Sequence, residues 1–323
     1  MKNNLKYLFY IIITVLLIIF LKDVDYNKLI SNVTEINLWV LLFLIFIQLI
    51  TQLLIAIQWT KILGNNSYKI SVMKMFFINT KSSVIEAITP GTKIGGEAYK
   101  TVILRNELKC SFEKAASLVA VQKIISFTGL LFFILLSLTY LVVTKDIDLI
   151  SDKKYMLMGA ISFVFVGLIY LYKYPEKVAK LFRSKNKILQ KFSNFMNNYE
   201  KSINNIKKEK RDVAIQIIMT LMIWFLFPIK SYIIVLALNL DVSLFMASIL
   251  TFSAYVVGTV SITPGGLGTF ELTMSTLMIL LTRTSKEEAL LAASLFRIIT
   301  FWFVVSTGVI LMYLEKLIPI KEV

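Results

Sequence analysis

Long apolar blocks separated by short charged segments dominate this chain. A hydrocarbon core of about 30 Å needs about 20 residues of apolar helix, and no block alternates with the two-residue period of barrel strands. The hydrophobic fraction is 57%, above the roughly 45–50% of soluble domains. The sequence predicts an all-α integral membrane protein, one polytopic domain over residues 1–323 with about six full spans. These spans cover approximately residues 7–21, 36–57, 115–143, 156–172, 213–238 and 289–313.

Two further regions do not read as simple spans. Region 70–104 contains several Lys, Glu and Asn residues and is too polar to face lipid. Region 242–282 is apolar, but residues 263–268 read Thr-Pro-Gly-Gly-Leu-Gly. Proline and glycine stop a helix and permit an irregular turn. We therefore expect two re-entrant helical hairpins in addition to the full spans.

An internal repeat relates these regions. Thr89-Pro90-Gly91 recurs as Thr263-Pro264-Gly265, 174 residues later. The same offset relates Glu97 to Glu271 and the segment 123–127 to 297–301, so that Lys123 matches Arg297. The alternative is coincidence between apolar segments of low complexity. The predicted repeat units span approximately residues 36–143 and 210–314.

The distribution of basic residues predicts the topology. With two re-entrant hairpins, 25 Lys and Arg residues fall on the cytoplasmic side and 7 on the outer side. Such an excess follows the positive-inside rule and predicts that both termini are cytoplasmic. Three full spans separate the two hairpins, so the repeats are expected to be inverted. Inverted repeats with broken helices are typical of transporters.

The residue inventory excludes several kinds of chemistry. The chain has no His and only one Cys, Cys110, which excludes His-dependent triads, His-containing zinc sites and internal disulfides. The Pro-Gly-Gly-Leu-Gly sequence lacks the Gly-Lys-[Ser/Thr] ending of a P-loop. We assign no catalytic residue, metal ligand or cofactor.

The net charge of +15 is mostly explained by topology and does not require nucleic acid. Part of it lies in residues 175–211, where apolar residues spaced by three or four form a stripe opposite several lysines. This pattern predicts an amphipathic, basic, cytoplasmic segment on the anionic membrane surface. Nucleic-acid binding through the same basic face is the minor alternative.

Charged residues inside the predicted spans indicate a site. An ionised group at the bilayer centre is costly, so it usually faces a cavity or pairs. A helix that begins after a glycine-rich turn offers free N–H groups to a phosphate, which a nearby Lys or Arg would also bind. The candidate lipid-binding residues are Lys123, Arg297, Glu97 and Glu271, with the turn residues Thr89, Pro90, Gly91, Gly95, Gly96, Thr263, Pro264, Gly265, Gly266 and Gly268.

Each charged residue also has a structural interpretation. Lys123 and Arg297 could form ion pairs with Glu97 and Glu271 instead of binding lipid. The two glutamates could also stabilise the positive end of a helix dipole. Lys230, inside the fifth predicted span, could extend its ammonium group towards the end of its helix.

The two turn motifs resemble those of a known family. Residues 262–271, Ile-Thr-Pro-Gly-Gly-Leu-Gly-Thr-Phe-Glu, resemble the P-G-G-[LI]-G-x-x-E signature of the lysylphosphatidylglycerol synthase transmembrane region. Residues 89–97 are similar to its other recurring segment, which begins T-P-G and ends G-G-E. The resemblance covers nearly the whole chain and implies a flippase-like protein of the cell membrane.

In full-length bacterial synthases, the resemblance implies a following soluble domain that transfers lysine to phosphatidylglycerol. We expect this domain to be absent, because the chain ends at Val323. The expected function is therefore a flippase for a phospholipid, an aminoacyl-phospholipid or a polyprenyl-phosphate-linked lipid. The alternative is a membrane subunit or enzyme of lipid headgroup modification. The expected partners are anionic membrane lipids or lipid-linked carriers. Whether a separate lipid-modifying enzyme is also a partner stays open.

The inverted arrangement can be tested by labelling with a membrane-impermeant thiol reagent. We predict that cysteines introduced at Asn106 and Arg283, after removal of Cys110, react from opposite sides of the membrane. Each position follows one hairpin, and the hairpins are expected to enter from opposite faces. Labelling of both cysteines from the same side would contradict the inverted arrangement.

Overall fold

The computed structural model describes residues 25, 27, 36–89, 94–144, 154–181, 187–261 and 263–317. Within these ranges the chain forms helices and turns, with no β-strand. The helices are α1 Leu38–Asn65, α2 Val72–Ile88, α3 Ile94–Glu107, α4 Phe112–Thr144, α5 Lys154–Lys173, α6 Pro175–Leu181, α7 Lys187–Lys207, α8 Lys210–Ala237, α9 Leu244–Val260, α10 Thr269–Thr282, α11 Lys286–Arg297 and α12 Phe303–Leu317. The predicted all-α fold is confirmed.

Five helical segments of the described chain are long and apolar enough to cross a membrane. They are Leu38–Asn65, Phe112–Tyr140, Lys210–Ala237, Pro264–Thr282 and Lys286–Glu315. Four of them overlap predicted spans, whereas Pro264–Thr282 lies in the predicted second hairpin. The apolar part of α5, Met158–Lys173, is shorter, and the predicted span 7–21 lies outside the described residues. The number of spans and the positions of the termini remain predictions.

Helix boundaries recur along the chain. The first four helices, α1 to α4, begin at residues 38, 72, 94 and 112, and α8 to α11 begin at residues 210, 244, 269 and 286. Each start in the second set lies within two residues of the position that the 174-residue offset gives. Lys109 and Arg283, also 174 residues apart, both have positive φ, 48° and 55°. The same sequence of helices and turns therefore occurs twice, and the inverted orientation remains a prediction.

The chain divides into two compact units. The first unit comprises Met1–Ile50, Thr80–Gly96 and Leu226–Val323, and the second comprises Thr51–Asn79 and Glu97–Phe225. In the first unit, α10 packs against both α9 and α11. In the second unit, α4 packs against α5 and α7. Each unit contains one of the two predicted Glu and Lys or Arg pairs.

The C-terminal part of α2 and the start of α3 form a tight hairpin in the first unit. A Cβ atom at Gly95 would lie 2.0 Å from Oγ1 of Thr89, and one at Gly96 would lie 2.8 Å from the backbone oxygen of Ser82. Only glycine permits this approach of the two arms. Pro90 and Gly91, the expected tip, lie outside the described residues.

Helix α7 carries the apolar stripe that the sequence analysis identified. Tyr199, Ile203 and Ile206 are almost completely buried, and α7 packs on α4 of the same unit. Lys114 of α4 donates to Ser202 of α7 over 2.8 Å. The stripe is thus used largely for packing within the protein, although Phe192 remains 43% exposed. Contact of this segment with the membrane surface remains a prediction.

We predict that Gly96→Ala destabilises the protein, because the new methyl group would meet the backbone of the opposite arm. Overpacking of this kind typically costs about 1–3 kcal/mol. Thermal unfolding in detergent measures the effect. The matched control is Gly167→Ala in α5, where nothing lies within 4 Å of the new Cβ atom. Equal melting temperatures for the two variants would contradict the close hairpin.

Candidate functional site

The glycine-rich turn of the first unit connects α9 to α10. It forms one 3₁₀ turn, Pro264–Gly266, and Gly265, Gly266 and Gly268 have φ values of 59°, 71° and 74°. Side chains other than glycine rarely adopt these values. Gly265 is further restricted, because an added Cβ would lie 2.5 Å from Cζ of Phe301. The backbone conformation of this turn therefore requires glycine at these three positions.

Three hydroxyl groups hold the two ends of this turn together. The Ser261 hydroxyl lies 2.7 Å from that of Thr263 and 2.8 Å from that of Thr269. The Thr263 backbone N–H also donates to Ser261 over 3.2 Å. Thr263, a candidate lipid-binding residue, thus has a structural role in this conformation. Sequence reasoning did not identify Ser261 or Thr269 as its partners.

Arg297 connects the turn to α10. Its Nε donates to Oε1 of Glu271 over 3.0 Å, and its Nη2 donates to the backbone oxygen of Gly265 over 2.7 Å. The guanidinium carbon lies 4.1 Å from the ring centroid of Phe301 and 5.0 Å from that of Phe270. Arg297 is 6% exposed. The fork of the guanidinium group thereby fixes the turn and a carboxylate at the same time.

The second carboxylate oxygen of Glu271 is placed differently. Oε2 is buried and has no hydrogen-bond partner among the described residues. Glu271 lies in the first turn of α10, where a negative charge favours the positive end of the helix dipole. The ion pair with Arg297 uses Oε1 of Glu271, so Oε2 is the carboxylate oxygen that the pair leaves as an acceptor.

The second unit contains the corresponding pair. Lys123 of α4 donates to Oε1 of Glu97 over 2.8 Å, and the side chains are 27% and 25% exposed. Lys100 lies 3.8 Å from Oε2 of the same glutamate and stacks 5.2 Å from the centroid of Trp59. Sequence reasoning missed Lys100, although its spacing of three residues from Glu97 places both on one helix face.

The two pairs share one spacing but differ in exposure. Glu97 and Lys123, like Glu271 and Arg297, are separated by 26 residues. The contacts predicted by the structural interpretation are therefore present in both units. Contact with a lipid phosphate remains a prediction, and by exposure Lys123 is more accessible than Arg297.

The first turn motif is only partly described. Thr89 donates its hydroxyl to the backbone oxygen of Ile85 over 2.7 Å. Gly95 and Gly96 occupy the first turn of α3 and permit the contact with α2. Their observed role is close packing of the hairpin, and Pro90 and Gly91 lie outside the described residues.

Lys230 of α8 is completely buried in the first unit. Its ammonium group donates to Oε1 of Gln48 and lies 4.2 Å from the ring centroid of Phe227. Gln48 in turn donates to the backbone oxygen of Thr300 over 3.4 Å. Thr300 belongs to a π-helical segment, Ile298–Trp302, that follows Arg297. The lysine is thus held by interior polar groups and does not extend to an interface.

The lone cysteine lies between α3 and α4. Burial raises the pKa of the Cys110 thiol above its usual value, although the nearby Lys114 ammonium group acts in the opposite direction. A raised pKa reduces the thiolate fraction at neutral pH and makes Cys110 a weak nucleophile. Within the described ranges, no three His, Cys, Asp or Glu side chains gather as metal ligands.

We predict that Arg297→Gln and Glu271→Gln each lower the melting temperature. Removing one partner of a buried pair typically costs about 3–5 kcal/mol, and Arg297 also holds the Gly265 carbonyl. The double variant should recover part of the loss, because no carboxylate is stranded. The melting temperature of Arg297→Lys should lie between those of Arg297→Gln and the wild type, because an ammonium group keeps the charge but cannot reproduce the planar fork. Near-wild-type melting of both single variants would contradict a structural role for the pair.

Comparisons with known proteins agree with these motifs. The sequence profile of the family described as Lysylphosphatidylglycerol synthase TM region matches residues 7–308. A UPF0104 membrane protein of Pyrococcus horikoshii is 24% identical over 322 residues, which cover 95% of this chain and 96% of that protein. A UPF0104 membrane protein of Methanocaldococcus jannaschii is 24% identical over 264 residues, 77% of this chain and 76% of that protein. The chain is therefore a multi-pass membrane protein that belongs to the lysylphosphatidylglycerol synthase transmembrane-region family.

Proposed function

We propose that this protein is a lipid translocator that moves a lipid with a phosphate-containing headgroup between the two leaflets of the cell membrane. Family membership supports a lipid-related membrane function. The observation that carries the proposal is the occurrence of two matched ion pairs, Glu97–Lys123 and Glu271–Arg297, in each of which the glutamate follows a glycine-containing motif along the chain. A phospholipid, an aminoacyl-phospholipid and a polyprenyl-phosphate-linked lipid are the candidate cargoes.

Within the second unit, Lys123 is the residue we assign to the lipid phosphate. Its partly exposed ammonium group is held by Glu97, and an incoming phosphate would compete with that carboxylate for the same N–H groups. Lys100 beside Glu97 supplies a second positive charge. Because both signs of charge are present, the group can also receive a headgroup that carries an amine.

Within the first unit, Arg297 and Glu271 have the corresponding roles. Arg297 is nearly buried and uses two of its five N–H groups in charge-assisted hydrogen bonds, so a phosphate can reach the remaining N–H groups only after a local opening. The buried Oε2 of Glu271 is the acceptor for a headgroup amine or a coupling proton. The difference in exposure suggests that the Lys123 pair engages lipid first.

The proposal predicts that Lys123→Gln slows lipid translocation. Loss of one hydrogen bond to a charged group is worth about 1.5–3 kcal/mol, which corresponds to roughly a ten- to hundredfold slower rate. Purified protein in liposomes with fluorescent phosphatidylglycerol and a leaflet-selective quencher gives that rate. Lys123→Arg should retain most activity, because the positive charge remains.

The matched control is Lys74→Gln. Lys74 also pairs with a glutamate, Glu107, in the second unit, but its side chain is 52% exposed and lies outside the candidate site. Its rate should equal that of the wild type. If wild-type protein moves the fluorescent lipid no faster than empty liposomes do, across anionic and zwitterionic headgroups, the translocator proposal fails. If Lys123→Gln and Lys74→Gln give equal rates, the assignment of Lys123 fails.

The alternative class, lipid headgroup modification, has a separate test. We predict that the purified chain, supplied with lysyl-tRNA and phosphatidylglycerol, forms no lysyl-lipid. The reason is that the chain contains no His to act as the base of a His-activated nucleophile. Product above a control without protein would favour the enzyme class.

A further inference from the structure

A cavity of about 310 Å³ lies within the second unit, between α4, α5 and α8. The size is at the lower end of the range for small-molecule pockets. Its walls are mainly aliphatic and aromatic, and no residue that lines it carries a charge at neutral pH. None of the motif residues or ion pairs of the candidate site lines it. The cavity therefore requires an explanation of its own.

Gln216 of α8 is the polar residue that distinguishes this cavity. It is 2% exposed, and neither its Nε2 nor its Oε1 has a hydrogen-bond partner among the described residues. Of the three hydroxyl groups that line the cavity, those of Thr128 and Thr220 are engaged elsewhere, and the third belongs to Tyr172. Thr128 donates to the backbone oxygen of Ile125 over 2.7 Å, and Thr220 accepts from Gln58 over 2.7 Å. An amide donor and an amide acceptor thus remain unsatisfied at the cavity wall.

The chemistry of Gln216 restricts the occupant. A buried amide is costly unless both its N–H and its C=O groups find partners. A hydroxyl group can donate to Oε1 and accept from Nε2 at one position, whereas an ester or ether oxygen can only accept. A phosphate or an ammonium group would be desolvated here without an opposite charge. The favoured occupant is a neutral molecule with a free hydroxyl group.

The shape of the cavity indicates where this molecule comes from. Phe132, Ile169 and Ile217 form part of its wall and are 41%, 41% and 54% exposed. These side chains lie on apolar helices, so the opening faces the apolar exterior. The walls are mostly apolar, and cavities with apolar walls tend to stay dry. An occupant that enters here is a lipid.

We propose that the cavity between α4, α5 and α8 binds the hydroxyl-bearing end of a neutral lipid, whose hydroxyl group pairs with the side-chain amide of Gln216. The free hydroxyl of a diacylglycerol and that of a long-chain alcohol share this chemistry. The site is separate from the charged residues assigned to translocation and does not depend on that function.

The test uses photoactivatable lipids with purified full-length protein in nanodiscs. The probes are a diazirine-bearing diacylglycerol, a diazirine-bearing long-chain alcohol, and the O-methyl ether of each. Peptide mapping measures labelling of α4, α5 and α8. Gln216→Leu should reduce labelling by at least one hydroxyl probe roughly fivefold or more. The ethers should label the wild type only as weakly as that hydroxyl probe labels Gln216→Leu. The relative labelling by the two alcohols identifies the class of lipid.

Two further variants separate binding from folding. Ile169→Trp enlarges an exposed side chain at the opening and should also reduce labelling. Gln122→Leu is the matched control: it removes another buried amide of the same unit, which bonds Gln58 over 3.4 Å, and should retain labelling. Gln216→Leu should melt no lower than the wild type without lipid, because it removes an unpaired amide.

Equal labelling of wild type and Gln216→Leu would overturn the proposal. The same conclusion would follow if the ethers labelled as well as the alcohols, or if no probe labelled the cavity, as expected of a cavity that holds only water. A lower melting temperature for Gln216→Leu without lipid would mean that the amide is satisfied by protein or water, and would also overturn it.

Discussion

The cost of placing charge in an apolar environment is the constraint on which the rest of this structure depends. The two units meet it by the same means, a glutamate in the first turn of a helix and a basic residue 26 positions later. In the first unit the base is Arg297, which also holds the carbonyl of Gly265. In the second unit the base is Lys123, which is more exposed. One arrangement therefore produces a nearly buried clamp and a more accessible pair.

The contacts of Arg297 with Glu271 and with the Gly265 carbonyl depend on the irregular backbone that they stabilise. Gly265 needs positive φ and space beside Phe301, and its carbonyl group is turned towards Arg297. In a regular helix that carbonyl would be bonded within the helix. Irregular backbone among apolar helices is tolerated only when its polar groups find partners. Arg297 supplies one such partner, and the hydroxyl groups of Ser261, Thr263 and Thr269 supply others.

Other interior polar groups differ in whether they have hydrogen-bond partners. Lys230 is completely buried but donates to Gln48, whereas Gln216 borders a cavity without a partner in the described part of the chain. A buried polar group with hydrogen-bond partners contributes to a specific fold, while one without partners beside a cavity can bind a ligand. The charged pairs and the Gln216 cavity thus differ in the lipid chemistry that they suit. The former favour a charged headgroup and the latter a neutral hydroxyl.

The sequence by itself determined the all-α class, the approximate helix positions, the family and the matched charged residues. These features follow from hydropathy and from local chemistry, which a linear pattern records directly. It left open whether Lys123 and Arg297 pair with glutamates, and only the tertiary structure decided that both do. The Gly265 carbonyl, the burial of Lys230 and the unpaired amide of Gln216 were also decided by tertiary packing. Each depends on the distance between helices that are far apart in the chain, and no residue spacing encodes that distance.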